Sequence, residues 1–230
     1  MGKGGGRLYL VSTPIGNLED ITLRAIKVLR RVDLIAAEDT RKARPLLARY
    51  RIKAPLTSFF EHNEPAKTGA LIKRLLNNQD IAVISEAGTP GVSDPGFRLI
   101  RQAIEQGIEV IPIPGPSAHV AALVCSGLPT DSFHFFGFLP PKGAKRKKRL
   151  EEIKELRGTI ILYEAPHRLL RTLQDIKDCC GDRQIVVARE MTKTYEEVIR
   201  GEITAVLEGL EGKKIRGEIT LVVAGRGRGG

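Results

Sequence analysis

Short apolar runs alternate with amphipathic stretches along the chain. Leu8 to Val11 is a β-rich run, the turn Thr13-Pro14-Ile15-Gly16-Asn17 follows, and Ile21, Ala25, Val28, Leu29 and Val32 then recur at helical spacing. Leu34 to Ala37 reads as a strand, Arg41 to Tyr50 as a helix, and Lys67 to Asn77 as a further helix through Leu71, Ile72, Leu75 and Leu76. Ile81 to Ile84 has the character of a buried strand. Pro95 suits the first turn of a helix carrying Phe97, Ile100, Ala103 and Ile104, and Gly107 suits its C-terminal cap ahead of a strand at Glu109 to Ile113.

Beyond Pro112-Ile113-Pro114-Gly115-Pro116 a short helix ends near Gly127, and Leu128-Pro129 punctuates the chain before the aromatic run Phe133 to Phe138. A second series follows: a helix from near Lys145, a strand at Thr159 to Tyr163, a helix at His167 to Asp178, a strand at Gln184 to Arg189, a helix at Thr204 to Leu210 and a strand at Glu218 to Ala224. Strands alternating with helices predict an α/β protein with mostly parallel or mixed sheets, covered on both faces. Two lobes are expected, residues 1–117 and 118–230.

Composition narrows the classes. Hydrophobic residues at 42% and charged residues at 28% are globular values, which excludes wholesale disorder or a fibrous repeat. A net charge of +10 favours a polyanionic partner. Cys125 and the adjacent Cys179 and Cys180 supply neither a disulfide framework nor zinc-site spacing, so a reducing cytoplasm and no metal are expected. No apolar run reaches a membrane-spanning length, and Met1 to Arg7 lacks the apolar stretch of a signal peptide, so no membrane association is expected. The glycine-rich ends GKGGGR and GRGRGG read as frayed tails.

In open α/β sheets ligands sit beyond the carboxyl ends of strands. Four Gly- or Pro-rich loops follow strands: 12–17, 85–96, 112–118 and 163–168. Their backbone allows close approach to a small polar molecule. Neither G-x-G-x-x-G after a strand nor G-x4-G-K-[ST] occurs, which speaks against a dinucleotide dehydrogenase or a P-loop NTPase.

At these loops the segments STPIGNLEDITLRA, LIAAEDTR, SEAGTPGVSDPG, PGPSAHVAAL, FHFFGFLP, YEAPHRLL and GEITLVVAG resemble the tetrapyrrole-methylase fold, and within it the ribosomal RNA small-subunit methyltransferase I family. The resemblance runs nearly end to end. It implies two α/β lobes, S-adenosylmethionine in a cleft between them, a homodimer, and transfer of a methyl group to the ribose 2′-O of a cytidine in small-subunit ribosomal RNA. Carried over by position, the cofactor contacts fall on Gly88, Thr89, Val92, Ser117, Ala118, Tyr163, Glu164 and Met191. Superfamily relatives often carry Gly-Asp-Pro where this chain has Gly88-Thr89-Pro90, so no carboxylate stands there.

A ribose hydroxyl is a weak nucleophile that a base would help. Glu38, Asp39 and Asp94 are the catalytic candidates, with Asp39 and Asp94 each equally suited to cap a helix. The cluster Glu61, His62, Asn63 and Glu64 is a further source of polar groups. Arg41, His62, Asn63 and Arg168 are read as RNA contacts, with pairing to nearby carboxylates the alternative for Arg41 and Arg168. So are Lys145, Arg146, Lys147, Lys148 and Arg149, within a run of six basic residues in eight from Lys142. The neighbouring phenylalanines are read as core rather than as stacking platforms. Two rival functions remain: a small-molecule, tetrapyrrole-type methyltransferase of the same fold, and a non-catalytic RNA-binding assembly factor.

Overall fold

The structure, a computed structural model, describes residues 5–227; the outermost residues of both glycine-rich tails lie outside the described residues. The chain divides into two compact units, 1–117 and 118–230. The first unit runs β1 (Leu8–Val11), α1 (Leu23–Arg31), β2 (Leu34–Ala37), α2 (Thr40–Arg49), β3 (Leu56–Ser58), α3 (Glu64–Leu76), β4 (Ile81–Ile84), α4 (Phe97–Glu105) and β5 (Val110–Ile113). Its strands pair in the order β3-β2-β4-β1-β5, all parallel.

Period-two alternation explains why those strands are apolar throughout. Tyr9, Val11, Ile35, Ala37, Ala82 and Ile84 point to one face, where Ile26 and Leu29 of α1 and Leu46 and Leu47 of α2 cover them. Leu8, Leu34, Ala36, Ile81 and Val83 point to the other, against Leu71 and Leu75 of α3 and Leu99 and Ala103 of α4. A sheet buried on both sides needs side chains of one kind at every strand position.

The second unit runs α5 (Ala118–Ser126), β6 (Phe133–Phe138), α6 (Ala144–Glu155), β7 (Thr159–Glu164), α7 (Leu169–Cys180), β8 (Gln184–Arg189), β9 (Glu197–Glu202), α8 (Ile203–Leu210) and β10 (Ile219–Val223). The order is β6-β7-β10-β8-β9; β6 and β7 are parallel and the remaining pairs antiparallel. Ile160, Leu162, Ile185, Val187, Leu221 and Val223 pack under α6, α7 and α8, while Ile161, Val186, Ala188 and Val222 meet Ala122 and Leu123 of α5.

Three strands differ from the sequence expectation. β3, three residues long, lies where no strand was expected, and so does β9. β9 reads EVIRGE, and its charged side chains blunt an exposed edge rather than alternate with apolar ones. The aromatic run is itself β6, and it is not all core: Phe133 is 44% exposed and Phe138 58%. No helix among the described residues is long and apolar enough to cross a membrane.

Candidate functional site

The loops after β1, β4 and β5 meet because their strands are neighbours. Thr13 N donates to Gly88 O at 2.9 Å and Gly88 N to Thr13 O at 3.1 Å, a two-way bridge outside the main ladder. The Ser12 and Thr89 hydroxyl oxygens lie 2.9 Å apart, and Thr89 Oγ1 donates to Pro116 O at 3.3 Å. Three loops are thereby tied into one rigid edge. Gly88 sits at φ +86, and a side chain there would start 3.5 Å from Ile15 Cγ2 and 3.7 Å from Pro116 O. Its carbonyl also accepts from Ser85 Oγ at 3.2 Å, so both backbone polar groups of Gly88 are committed within the protein. Val92, further along the same loop, is exposed.

Pairing of β2 with β4 brings a second set of groups together. Glu38 follows β2 and accepts from Glu86 N at 3.0 Å, and Lys42 of α2 forms an ion pair with Glu86. Asp94, on the loop after β4, has its carboxyl pushed up to about 7, first by burial and then by the negative charges of Glu38 and Glu86, with Ser85 opposing the rise. Burial also raises Glu38, against the pull of the Glu86 amide. A carboxyl that titrates near neutrality can accept a proton from a substrate at neutral pH.

Asp39 has other work. It is the N-cap of α2, accepting from Arg41 N at 2.8 Å, and the Arg41 guanidinium pairs with it at 3.2 Å and holds its carboxyl below the usual range. Arg41 itself is largely exposed. Asn63 Oδ1 accepts from Phe60 N at 2.8 Å, which stitches the turn before α3, and the His62 ring stands edge-on to Phe60. Glu64 is buried and accepts from Gly96 N and Arg98 N at 3.2 and 3.0 Å, so a carboxylate from α3 caps α4, whose own N-cap glycine has no side chain to do so.

Ser117 closes the first unit and Ala118 opens α5. Tyr163 and Glu164 end β7. The Tyr163 ring lies 5.0 Å from Phe135 and 5.6 Å from Phe138, and His119 Nδ1 is 3.4 Å from its hydroxyl. Met191 packs beside the α5 face of the sheet.

Glu164 is almost fully buried. It accepts from Ala165 N at 2.8 Å and from the Thr172 hydroxyl, and pairs with Arg168 at 3.3 Å. Its carboxylate is therefore engaged within the protein, although the resemblance implied a cofactor contact there.

The basic run divides by helical phase. Arg146 is only 4% exposed and shares the buried stripe of α6 with Leu150 and Ile153; its guanidinium donates to Asp175 at 2.7 Å, Thr172 at 2.9 Å and Pro140 O at 3.1 Å. That corrects its assignment as an RNA contact. Arg168 is likewise turned inward, to Leu139 O at 2.8 Å as well as to Glu164. Lys142, Lys145, Lys147 and Lys148 are exposed, and Arg149 lies over the Phe136 ring at 5.0 Å and pairs with Glu152. Reading the sequence passed over Ser85, Glu86, Lys42, Thr172 and Asp175; the first two stand inside the SEAGTPG segment, and Thr172 lies eight residues after Glu164. Among the described residues no group of His, Cys, Asp and Glu is arranged to hold a metal ion.

Comparison with known proteins gives this geometry a setting. The family described as Tetrapyrrole (Corrin/Porphyrin) Methylases matches residues 7–207. A protein of Halalkalibacterium halodurans named ribosomal RNA small subunit methyltransferase I is 49% identical over 96% of this chain and 77% of its own length. One of the same name from Thermotoga maritima is 47% identical over 96% of this chain and 99% of its own. Among solved structures, a cobalt precorrin-4 methyltransferase superposes with a TM-score of 0.73 at 15% identity, covering 95% of this chain and 94% of that one. Uroporphyrin-III C-methyltransferase from Thermus thermophilus, in complex with S-adenosylhomocysteine, gives 0.68 at 17% over 95% and 97%. These two show the fold alone. With the family matching residues 7–207 and relatives near half identical over almost all of its length, the chain belongs to the tetrapyrrole methylases, within the ribosomal RNA small subunit methyltransferase I group.

Proposed function

We propose that the protein transfers the methyl group of S-adenosylmethionine to the ribose 2′-O of a cytidine in small-subunit ribosomal RNA. The observation that carries this reading is the likeness, at 47–49% identity over 96% of the chain, to proteins named for small-subunit RNA methylation. The bound cofactor would supply an electrophilic methyl group on a sulfonium. The residues of the first unit fit such a molecule: glycine at position 88 leaves the loop edge open beside Ile15 and Pro116, and Glu38 and Glu86 supply negative charge that complements a sulfonium. Within the second unit, the Tyr163 ring and Met191 offer apolar surface of the kind an adenosine needs.

In-line displacement gains most from alignment, which the Thr13–Gly88 bridge and the Thr89–Pro116 bond provide by fixing the loops. In this reading Asp94 takes the hydroxyl proton, its affinity for it raised by burial and then by the charge of Glu38. Asp39 stays a helix cap. Gly88→Arg is expected to abolish cofactor binding in calorimetry with the fold retained by circular dichroism; unchanged affinity would move the cofactor elsewhere.

Exposed Lys145, Lys147 and Lys148 supply phosphate contacts, with Arg149, Arg41, His62 and Asn63 as further RNA-facing groups. Changing the three lysines together to Ala should weaken RNA binding and reduce the slope of log affinity against log salt by about 2 to 3, at roughly 0.7 to 0.9 per lost contact. An equal slope would refute their role. The same reading makes the protein a cytoplasmic homodimer, in keeping with the exposed Phe97 and Ile104 on α4. A single-chain mass in light scattering would contradict it.

Transfer of labelled methyl from S-adenosylmethionine, with small subunits, naked RNA and a tetrapyrrole precursor offered in parallel, tests the reading. Label in RNA is expected. Label only in the tetrapyrrole would assign the small-molecule activity, and cofactor binding with no transfer would leave an assembly factor.

A further inference from the structure

The display of Phe138 is built into the strand that carries it. Side chains alternate along a regular strand, so Phe135 and Phe138 would face opposite ways. The β6–β7 register slips between them, at Gly137 with φ +61, and the extra residue turns Phe138 back over Tyr163, the same ring that Phe135 meets. His119 stacks on Phe135 at 4.5 Å and completes the support. Phe135, Tyr163 and His119 are half-buried, while Phe138 stays 58% exposed and forgoes much of the burial that a phenylalanine gains in a core.

The chain just beyond the ring is clamped from below. Arg168 donates to Leu139 O and Arg146 to Pro140 O, and both guanidinium groups are anchored through the Glu164, Thr172 and Asp175 network. A buried, multiply bonded arginine holds a backbone carbonyl in a fixed place. Exposed Lys142, Lys145, Lys147 and Lys148 follow at once. An aromatic face beside a row of cations is how proteins hold unpaired nucleic acid, the ring stacking on a base and the cations tracking its backbone.

We infer that Phe138 is a stacking platform for an unpaired nucleobase of the RNA substrate, with the chain that leads from it to the α6 lysines held by the buried Arg146–Glu164–Arg168 network. This rests on the RNA-methylating reading above. A nucleobase face is also present in the cofactor's adenine; the adjoining lysines favour the RNA.

Wild type, Phe138→Ala and Phe138→Trp are titrated with a fluorescent single-stranded RNA oligonucleotide over a salt series, and with S-adenosylmethionine by calorimetry. Phe138→Ala should lose about 5- to 100-fold in RNA affinity with an unchanged salt slope, Phe138→Trp should retain it, and cofactor affinity should be equal in all three. RNA affinity that survives Phe138→Ala would overturn the inference alone. Loss of cofactor affinity instead would place the ring against adenine. Failure of the wild type both to bind the oligonucleotide and to methylate small-subunit RNA would overturn the RNA reading, and the inference with it.

Discussion

Asp94→Asn should lower methyl transfer to RNA about 10²- to 10⁴-fold at saturating cofactor and RNA, the usual contribution of a positioned general base. The amide is near in size to the carboxyl and cannot take the ribose proton. Cofactor and RNA affinities should stay within a few fold of the wild type. In the wild type the rate should rise with pH and level off above about 7, where Asp94 is ionised, and this rise should vanish in the variant. Stability moves the other way. The folded-state value near 7 stands above the ordinary 3.8, so the native protein holds its proton more tightly than the unfolded chain does. Stability from this group is fully present below pH 3.8 and is lost as pH rises through about 7. Asp94→Asn should therefore be more stable than the wild type at alkaline pH. A variant that is slow because it is unfolded would show the reverse, and full activity would remove Asp94 from the mechanism.

Arg146→Ala should cost about 3 to 5 kcal/mol of folding stability, the range for removing one partner of a buried ion pair. The guanidinium reaches Asp175, Thr172 and Pro140 O at once, and its loss leaves an acceptor on α7, the Thr172 side chain and a backbone carbonyl without their donor. Asp175 is partly exposed and keeps a long contact to Arg171 at 3.9 Å, so the lower end of the range is expected. Arg146→Lys should recover only part, because a single ammonium cannot span the three directions of a planar fork. Lys147→Ala, one residue along the same helix but exposed, should change stability by less than about 0.5 kcal/mol. Denaturant midpoints at constant slope give all three values, and equal costs for Arg146 and Lys147 would refute the buried role.

The contrast between these two neighbours marks what could be read from the chain. Composition makes Lys145 to Arg149 one basic run. Helical phase separates them, since Arg146, Leu150 and Ile153 fall on one stripe, and that signal was available in the sequence. The inner strands of the first unit were legible because a parallel sheet buried on both faces demands continuous apolar strands such as IAVI and LIAA, whereas the short, half-buried β3 carries no such run. β9 was not, because an edge strand is selected to be unattractive to a further strand. The Gly-rich loops were visible as loops. Their mutual ties were not, since the Thr13–Gly88 bridge depends on β1 and β4 being neighbours though far apart in the chain, and the environment of Asp94 depends on β2 lying beside β4. Nothing local to Phe138 announces its exposure; the slip at Gly137 appears only against the paired strand.

Alkaline hydrolysis of RNA labelled by the protein separates methylation of a cytidine ribose from methylation of a base. A methyl group on the 2′-oxygen removes the nucleophile that cleaves the adjoining phosphodiester. Small-subunit RNA labelled by this protein from S-adenosylmethionine should therefore yield an alkali-stable dinucleotide that carries the label on a cytidine sugar. Label released in a mononucleotide methylated on its base, or absent from RNA and present in a tetrapyrrole, would rule out a ribose 2′-O-methyltransferase.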